Sequence, residues 1–190
     1  MAGGTVTIVE GLMDKLPEDH HIRLWDCEFT KEGRERYLKV FIDRTDGQYV
    51  STDDCEKVSI FLSEELDKLD PIAENYYLMV SSPGMDRELK RPWHYEASIG
   101  KEVEVSLYGP LSGEYEGLDL KSFGIRNFTG ILTSFAETEG GYTAGFDTVI
   151  DLRKKNRKLG ARISPQALKE ISIEIPLKEI SKINLAVIFD

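Results

Sequence analysis

The stretch Tyr76-Tyr77-Leu78-Met79-Val80-Ser81-Ser82-Pro83-Gly84-Met85-Asp86-Arg87 decides the fold, because an apolar strand ends there in a turn and polar groups follow at once. Pro83 presets φ for the second position of a turn and Gly84 tolerates the positive φ of the third, so a type II-like reversal is predicted. Tyr76, Leu78 and Val80 fall on one face of the strand and Tyr77 and Met79 on the other. A strand apolar on both faces is expected to be central or covered, not a free edge.

Upstream, the pattern supplies the rest of one α/β unit. Thr7-Ile8-Val9-Glu10 has capping-box spacing, and Val9, Leu12, Met13 and Leu16 follow at i, i+3, i+4 and i+7 until Pro17, which predicts a short amphipathic helix. Trp25, Cys27 and Phe29 alternate with Asp26 and Glu28, and Leu38, Val40 and Ile42 form a second alternating set. The intervening segment is centred on Gly33, so a hairpin is expected. Ser51 or Thr52 caps a helix whose apolar stripe is Cys55, Val58, Leu62, Leu66 and Leu69, ended by Asp70-Pro71. The order α-β-β-α-β, with a right-handed crossover into the strand at 76–81, gives two helices on one face of a three-stranded sheet.

Downstream the period changes. Pro92 suits a first helical position and Gly100 a terminator, predicting a short linker helix. Val103, Val105 and Leu107 then alternate with Glu102, Glu104 and Ser106, Phe128 to Thr133 repeats the pattern, and Gly141 to Phe146, Thr148 to Leu152, and Ile171, Ile173 and Ile175 continue it. Pro176 breaks the ladder before Ile180, Ile183 and Leu185. Gly130 sits where a strand must bend sharply, as a small closed barrel demands. The fold class expected is α+β: an N-terminal α-β-β-α-β domain at 1–88, a linker at 89–101, and a small five-stranded β-barrel at 102–190, with long loops at 109–127 and 153–170.

Composition narrows the function classes. Charged residues at 31% and hydrophobic residues at 41% suit a folded soluble protein, and no apolar run approaches the roughly 20 residues of a membrane helix. The N-terminus has neither the basic start nor the apolar core of a signal peptide, so a cytoplasmic location is expected. Cys27 and Cys55 lack metal or redox spacing and read as small apolar residues, and His20, His21 and His94 have no second ligand cluster. No cofactor or metal is expected. Net charge is −10, but residues 1–90 carry 20 acids against 11 bases whereas residues 91–190 carry 14 against 13. Within the second part, Arg153, Lys154, Lys155, Arg157, Lys158 and Arg162 form one basic run, where contact with a polyanion is expected to start.

Several of these stretches carry a resemblance. Asp53 to Ser59, the core Val80-Ser81-Ser82-Pro83-Gly84-Met85-Asp86-Arg87, Phe128-Thr129-Gly130 and Ile175-Pro176-Leu177-Lys178-Glu179-Ile180 resemble, in order, the bacterial ribosome maturation factor RimP family, from about residue 7 to Leu185. The resemblance implies an Sm-like C-terminal barrel and a non-enzymatic role in late assembly of the small (30S) ribosomal subunit. The partners it implies are the immature subunit's 16S ribosomal RNA and small-subunit protein twelve, a basic protein suited to an acidic chain. A monomer is expected, with no membrane partner.

On that reading Ser82, Pro83, Gly84, Asp86 and Arg87 form a rigid polar knuckle offered to the ribosome, with Arg87 placed to fork onto phosphate. The bland alternative is a turn plus an Asp86–Arg87 pair tying the linker to the first domain. The basic run at 153–162 is read as phosphate-contacting, against a solvated loop. Tyr37 and Phe41 are read as helix-covered core aromatics in preference to a stacking platform. A general Sm-like RNA-binding module is the rival function. A hydrolase triad of Ser82, Asp86 and His94 is disfavoured by the lack of a G-x-S-x-G elbow.

Overall fold

The computed structural model describes residues 2–151 and 168–187, and the chain divides into two compact units, Met1–Gly84 and Met85–Asp190. The first has the order α1 (Ala2–Met13), β1 (Ile22–Glu32), β2 (Glu35–Arg44), α2 (Thr52–Leu69) and β3 (Tyr77–Ser81). Antiparallel β1 and β2 are joined at Gly33, whose φ is 63°, and β3 lies parallel to β2. Helix α1 starts ahead of the predicted cap, so Thr7 is an interior helical residue.

Period-2 alternation sorts the sheet. Leu38, Val40 and Ile42 of β2 are fully buried against Val9 and Leu12 of α1 and Val58, Leu62 and Leu66 of α2. Fully burying one such side chain contributes roughly 1.5–3 kcal/mol, so this layer dominates the unit's stability. Two expectations are corrected here. Strand order β1-β2-β3 makes β3 an edge, with Tyr77 56% and Met79 46% exposed, because the central position goes to β2 and the helices cover only one face. Tyr37 and Phe41 fall on the opposite face from Leu38, Val40 and Ile42, so they are not helix-covered core.

The second unit holds α3 (Pro92–Glu96), β4 (Glu102–Leu107), β5 (Glu114–Tyr115), β6 (Leu118–Asp119), β7 (Asn127–Thr138), β8 (Gly141–Asp151), β9 (Leu168–Pro176) and β10 (Ile180–Leu185). The two strands expected at 141–152 are one continuous strand. Residues 109–127, expected as a loop, contain the β5–β6 pair and a 3-10 turn at Leu120–Phe123, held down by buried Leu111 and Leu120.

The larger sheet has the order β10-β4-β7-β8-β9. Its edge strands β9 and β10 are joined by only the 3-10 turn Leu177–Glu179. In a flat sheet they would lie roughly 19 Å apart at a ~4.8 Å spacing, whereas three residues of 3-10 helix advance only about 6 Å. The sheet must therefore curl, and it does so around Val103, Val105, Phe128, Leu132, Phe146, Ile171 and Ile183. Among the described residues β9 and β10 share no ladder, so the closed barrel expected from the pattern is an open, curled antiparallel sheet. No described helix is long and apolar enough to cross a membrane.

Gly130 shows why the curl depends on sequence. A Cβ there would lie 2.6 Å from the Asp147 carbonyl oxygen and 2.9 Å from the Thr148 Cβ, so β7 and β8 approach more closely than any side chain allows. The adjacent Thr148 is buried, and its hydroxyl is satisfied by donating to the Thr129 carbonyl at 2.6 Å.

Candidate functional site

After β3 the backbone carries the positive φ predicted for Gly84, with a bend at residues 85–86 and no hydrogen-bonded turn at 82–84. Gly84 adopts φ 84°, a region that costs an L side chain strain, while Ser82 is exposed and Pro83 half-buried. Gly84→Ala is expected to lower stability by about 1 kcal/mol, read as a shift of the denaturant midpoint.

The motif is divided between the two units. Ser82, Pro83 and Gly84 close the first, whereas Asp86 and Arg87 belong to the second and lie along β10. The Leu185 amide donates to the Arg87 carbonyl at 3.0 Å, Leu89 donates to Ile183 at 2.9 Å, Glu88 bridges Asn184, and the Asn184 side-chain amide donates to the Asp86 carbonyl at 2.5 Å. Residues 86–89 therefore cover the free edge of β10. The backbone on either side of the Arg87 side chain is thus fixed by the sheet.

The following segment is equally built in. His94 is fully buried, and its Nδ1 accepts from the amides of Lys90 at 3.0 Å and Arg91 at 3.3 Å, which makes it a capping acceptor for the start of α3. Tyr95 stacks on Phe135 at 4.8 Å, and Phe135 on Tyr142 at 5.0 Å, tying α3 to β7 and β8. Burial, aided by the Glu88 carboxylate, pushes the Tyr95 phenol up to about 12. The fold favours the neutral phenol, so this contribution is complete below pH ~10 and disappears as pH rises through about 12.

A second rigid element lies at the end of β2. Arg44 reaches Asp54 through Nη1 at 3.0 and 3.1 Å and Asp46 through Nε at 2.9 Å and Nη2 at 2.5 Å, a network the sequence reading does not predict. Asp54 also accepts from the Ser51 amide at 2.9 Å, while the Ser51 hydroxyl accepts from the Asp54 amide at 3.2 Å, completing a capping box on α2. Burial acts to raise the Asp54 pKa, but the Ser51 and Arg44 hydrogen bonds outweigh it and the carboxyl is lowered. Asp46 is lowered chiefly by the Arg44 hydrogen bond. Folded-state pKa values below the unfolded ones mean that this stability is present above about pH 4 and is lost as pH falls further. Acid unfolding of Asp54→Asn is accordingly expected to be shallower than that of the native chain, and Ser51→Ala is expected to cost about 1 kcal/mol because it removes the cap. The network presents Tyr49, 96% exposed, on the loop between Asp46 and Ser51.

On the sheet face opposite the helices, Tyr37 stacks on Tyr77 with ring centroids 5.6 Å apart and donates to Glu35 at 2.8 Å. Arg36 pairs with Glu74 at 2.8 Å and Lys39 with Glu32. Arg36 and Lys39 are thus engaged by carboxylates. Arg153, Lys154, Lys155, Arg157, Lys158 and Arg162, the basic run singled out from the sequence, lie outside the described residues.

Residues 12–86 match the family model of the RimP N-terminal domain, a span that covers α2, β3 and the Ser82-Pro83-Gly84 turn. The match supports the RimP family for this chain, and with it a ribosome-maturation role and ribosome-related partners in general.

Proposed function

We propose that this chain, whose first unit is a RimP N-terminal domain, acts in late assembly of the small ribosomal subunit. It binds immature subunits through 16S ribosomal RNA and small-subunit protein twelve, works in the cytoplasm as a monomer, and acts by binding without a catalytic step. The match over residues 12–86 is the observation that carries this reading. The order β10-β4-β7-β8-β9 with a 3-10 turn before the last strand adds support for an Sm-like second unit.

In this mechanism the factor prefers a partly folded RNA and protein neighbourhood and leaves when the mature arrangement forms, which is differential affinity for two states. Subunits isolated from cells depleted of the protein are expected to bind it about a hundredfold more tightly than mature ones, a difference of about 2.7 kcal/mol. Equal affinity for the two would overturn the proposal.

Exposed Ser82 of the first unit is one contact in the ribosomal interface and edge-fixed Arg87 of the second is another, and the basic run supplies backbone attraction to phosphate. Replacing Arg153, Lys154, Lys155, Arg157 and Lys158 by Ser is expected to flatten the salt dependence of subunit binding by roughly 0.7–0.9 in log–log slope for each phosphate no longer neutralised. An unchanged slope would remove the run from the interface.

A further inference from the structure

The outer face of the curled sheet carries a groove of about 690 Å³ across β4, β7, β8 and β9. Two aliphatic side chains stand in it, Ile131 40% and Val149 54% exposed, both on outward positions of the alternating pattern beside Thr129 and Ser172. Its walls carry Glu102, Asp147 and Glu170, and no lysine or arginine among the described residues lines it. Strand register places Glu102 beside Ile131, Ile131 beside Asp147, and Val149 beside Glu170, so each apolar side chain has a carboxylate as its cross-strand neighbour. Asp147 is further held by the Ser172 hydroxyl, which donates to it at 2.6 Å.

We infer that this groove docks an extended, cationic segment of a protein partner, with an aliphatic side chain seated between Ile131 and Val149 and lysine or arginine on the flanking carboxylates. The inference rests on the reading that the chain engages a basic ribosomal protein, and it assigns that engagement to one face of the second unit. Three carboxylates on the groove walls repel phosphate, so nucleic acid is disfavoured here. Two exposed aliphatic residues on adjacent strands offer apolar contact beside the carboxylates, which favours a polypeptide over a bare cation. Charge complementarity sets the partner's sign, and the Ile131 and Val149 side chains give it a register.

The test uses the full chain and a short synthetic peptide of alternating lysine and leucine, followed by amide chemical shifts and fluorescence anisotropy. Shifts are expected at residues 129–131, 147–149 and 170–172. The variant Glu102→Lys/Val149→Ser/Glu170→Lys, with Val149 and Glu170 exposed and Glu102 half-buried, is expected to weaken the peptide and immature small subunits alike by about tenfold or more. A single-stranded RNA oligonucleotide should leave these amides unmoved. Peptide shifts elsewhere, RNA shifts within the groove, self-association through this face, or a variant that binds subunits as tightly as the native chain would each overturn the inference. If the peptide occupies the groove while native protein ignores immature subunits, the groove stands and the assembly role falls. If native protein and variant bind subunits equally, the role stands and the groove falls.

Discussion

Gly130→Ala is expected to lower the stability of the second unit by more than about 3 kcal/mol, above the usual cost of an overpacked core. The added Cβ meets a backbone oxygen at 2.6 Å and a Cβ at 2.9 Å, neither of which can swing aside as a flexible side-chain tip can. Relief requires β7 and β8 to separate, and the curl that brings β9 and β10 to the two ends of a three-residue turn depends on those strands. Gly145→Ala is the matched control. A Cβ there meets the Ser134 hydroxyl and, at 3.0 Å, the Thr133 hydroxyl, which are side-chain atoms on the β7 irregularity and can rotate, so its cost should be smaller. Urea unfolding followed by amide signals of β4, β7 and β8 measures both. Equal costs for the two variants would show that backbone approach at Gly130 does not control the sheet.

Leu38→Ala is expected to cost the first unit about 3 kcal/mol, within the range for a fully buried leucine. Leu38 is completely buried on the central strand, with α1 and α2 over its face, and the cavity left has helices on one side and a hydrogen-bonded ladder on the other. That is a large share of the roughly 5–15 kcal/mol typical of a whole domain. Because the chain contains two units, its unfolding need not be two-state, so the change is to be read from β1 and β2 amides. A loss below about 1 kcal/mol would place the centre of this core elsewhere.

The parts of the fold legible in the sequence are those set by local rules. Ser51 three residues before Asp54, ahead of the Val58, Leu62 and Leu66 stripe, reads as a capped helix because hydrogen-bond geometry and period are both local. The positive φ of Gly84 and the alternation of β4 are legible for the same reason. The edge position of β3 is not legible. Tyr77 and Met79 are apolar enough to suggest cover, but which strand is central depends on pairing, which is set by long-range interactions. The same limit applies to Tyr37 and Phe41, whose face is decided only when Leu38, Val40 and Ile42 claim the helices.

At the candidate site, Asp86 and Arg87 are legible as polar residues after a turn, but their role as cover for β10 depends on Asn184 and Leu185, nearly a hundred residues further on. The Arg44–Asp46–Asp54 network has a partial signal in the acidic residues around the start of α2, although the shared guanidinium needs the β2–α2 loop to fold back. The acidic groove has no contiguous motif. Glu102, Ile131, Asp147 and Glu170 come from four strands, and only their register brings them together.

The proposed role requires this protein to engage the small subunit while that subunit is still being assembled. Sedimentation of a cell lysate through a sucrose gradient, with the protein detected in each fraction, tests it most directly. Steady co-migration with free small subunits and absence from full ribosomes are expected. Migration only at the top of the gradient, or equal association with full ribosomes, would contradict it.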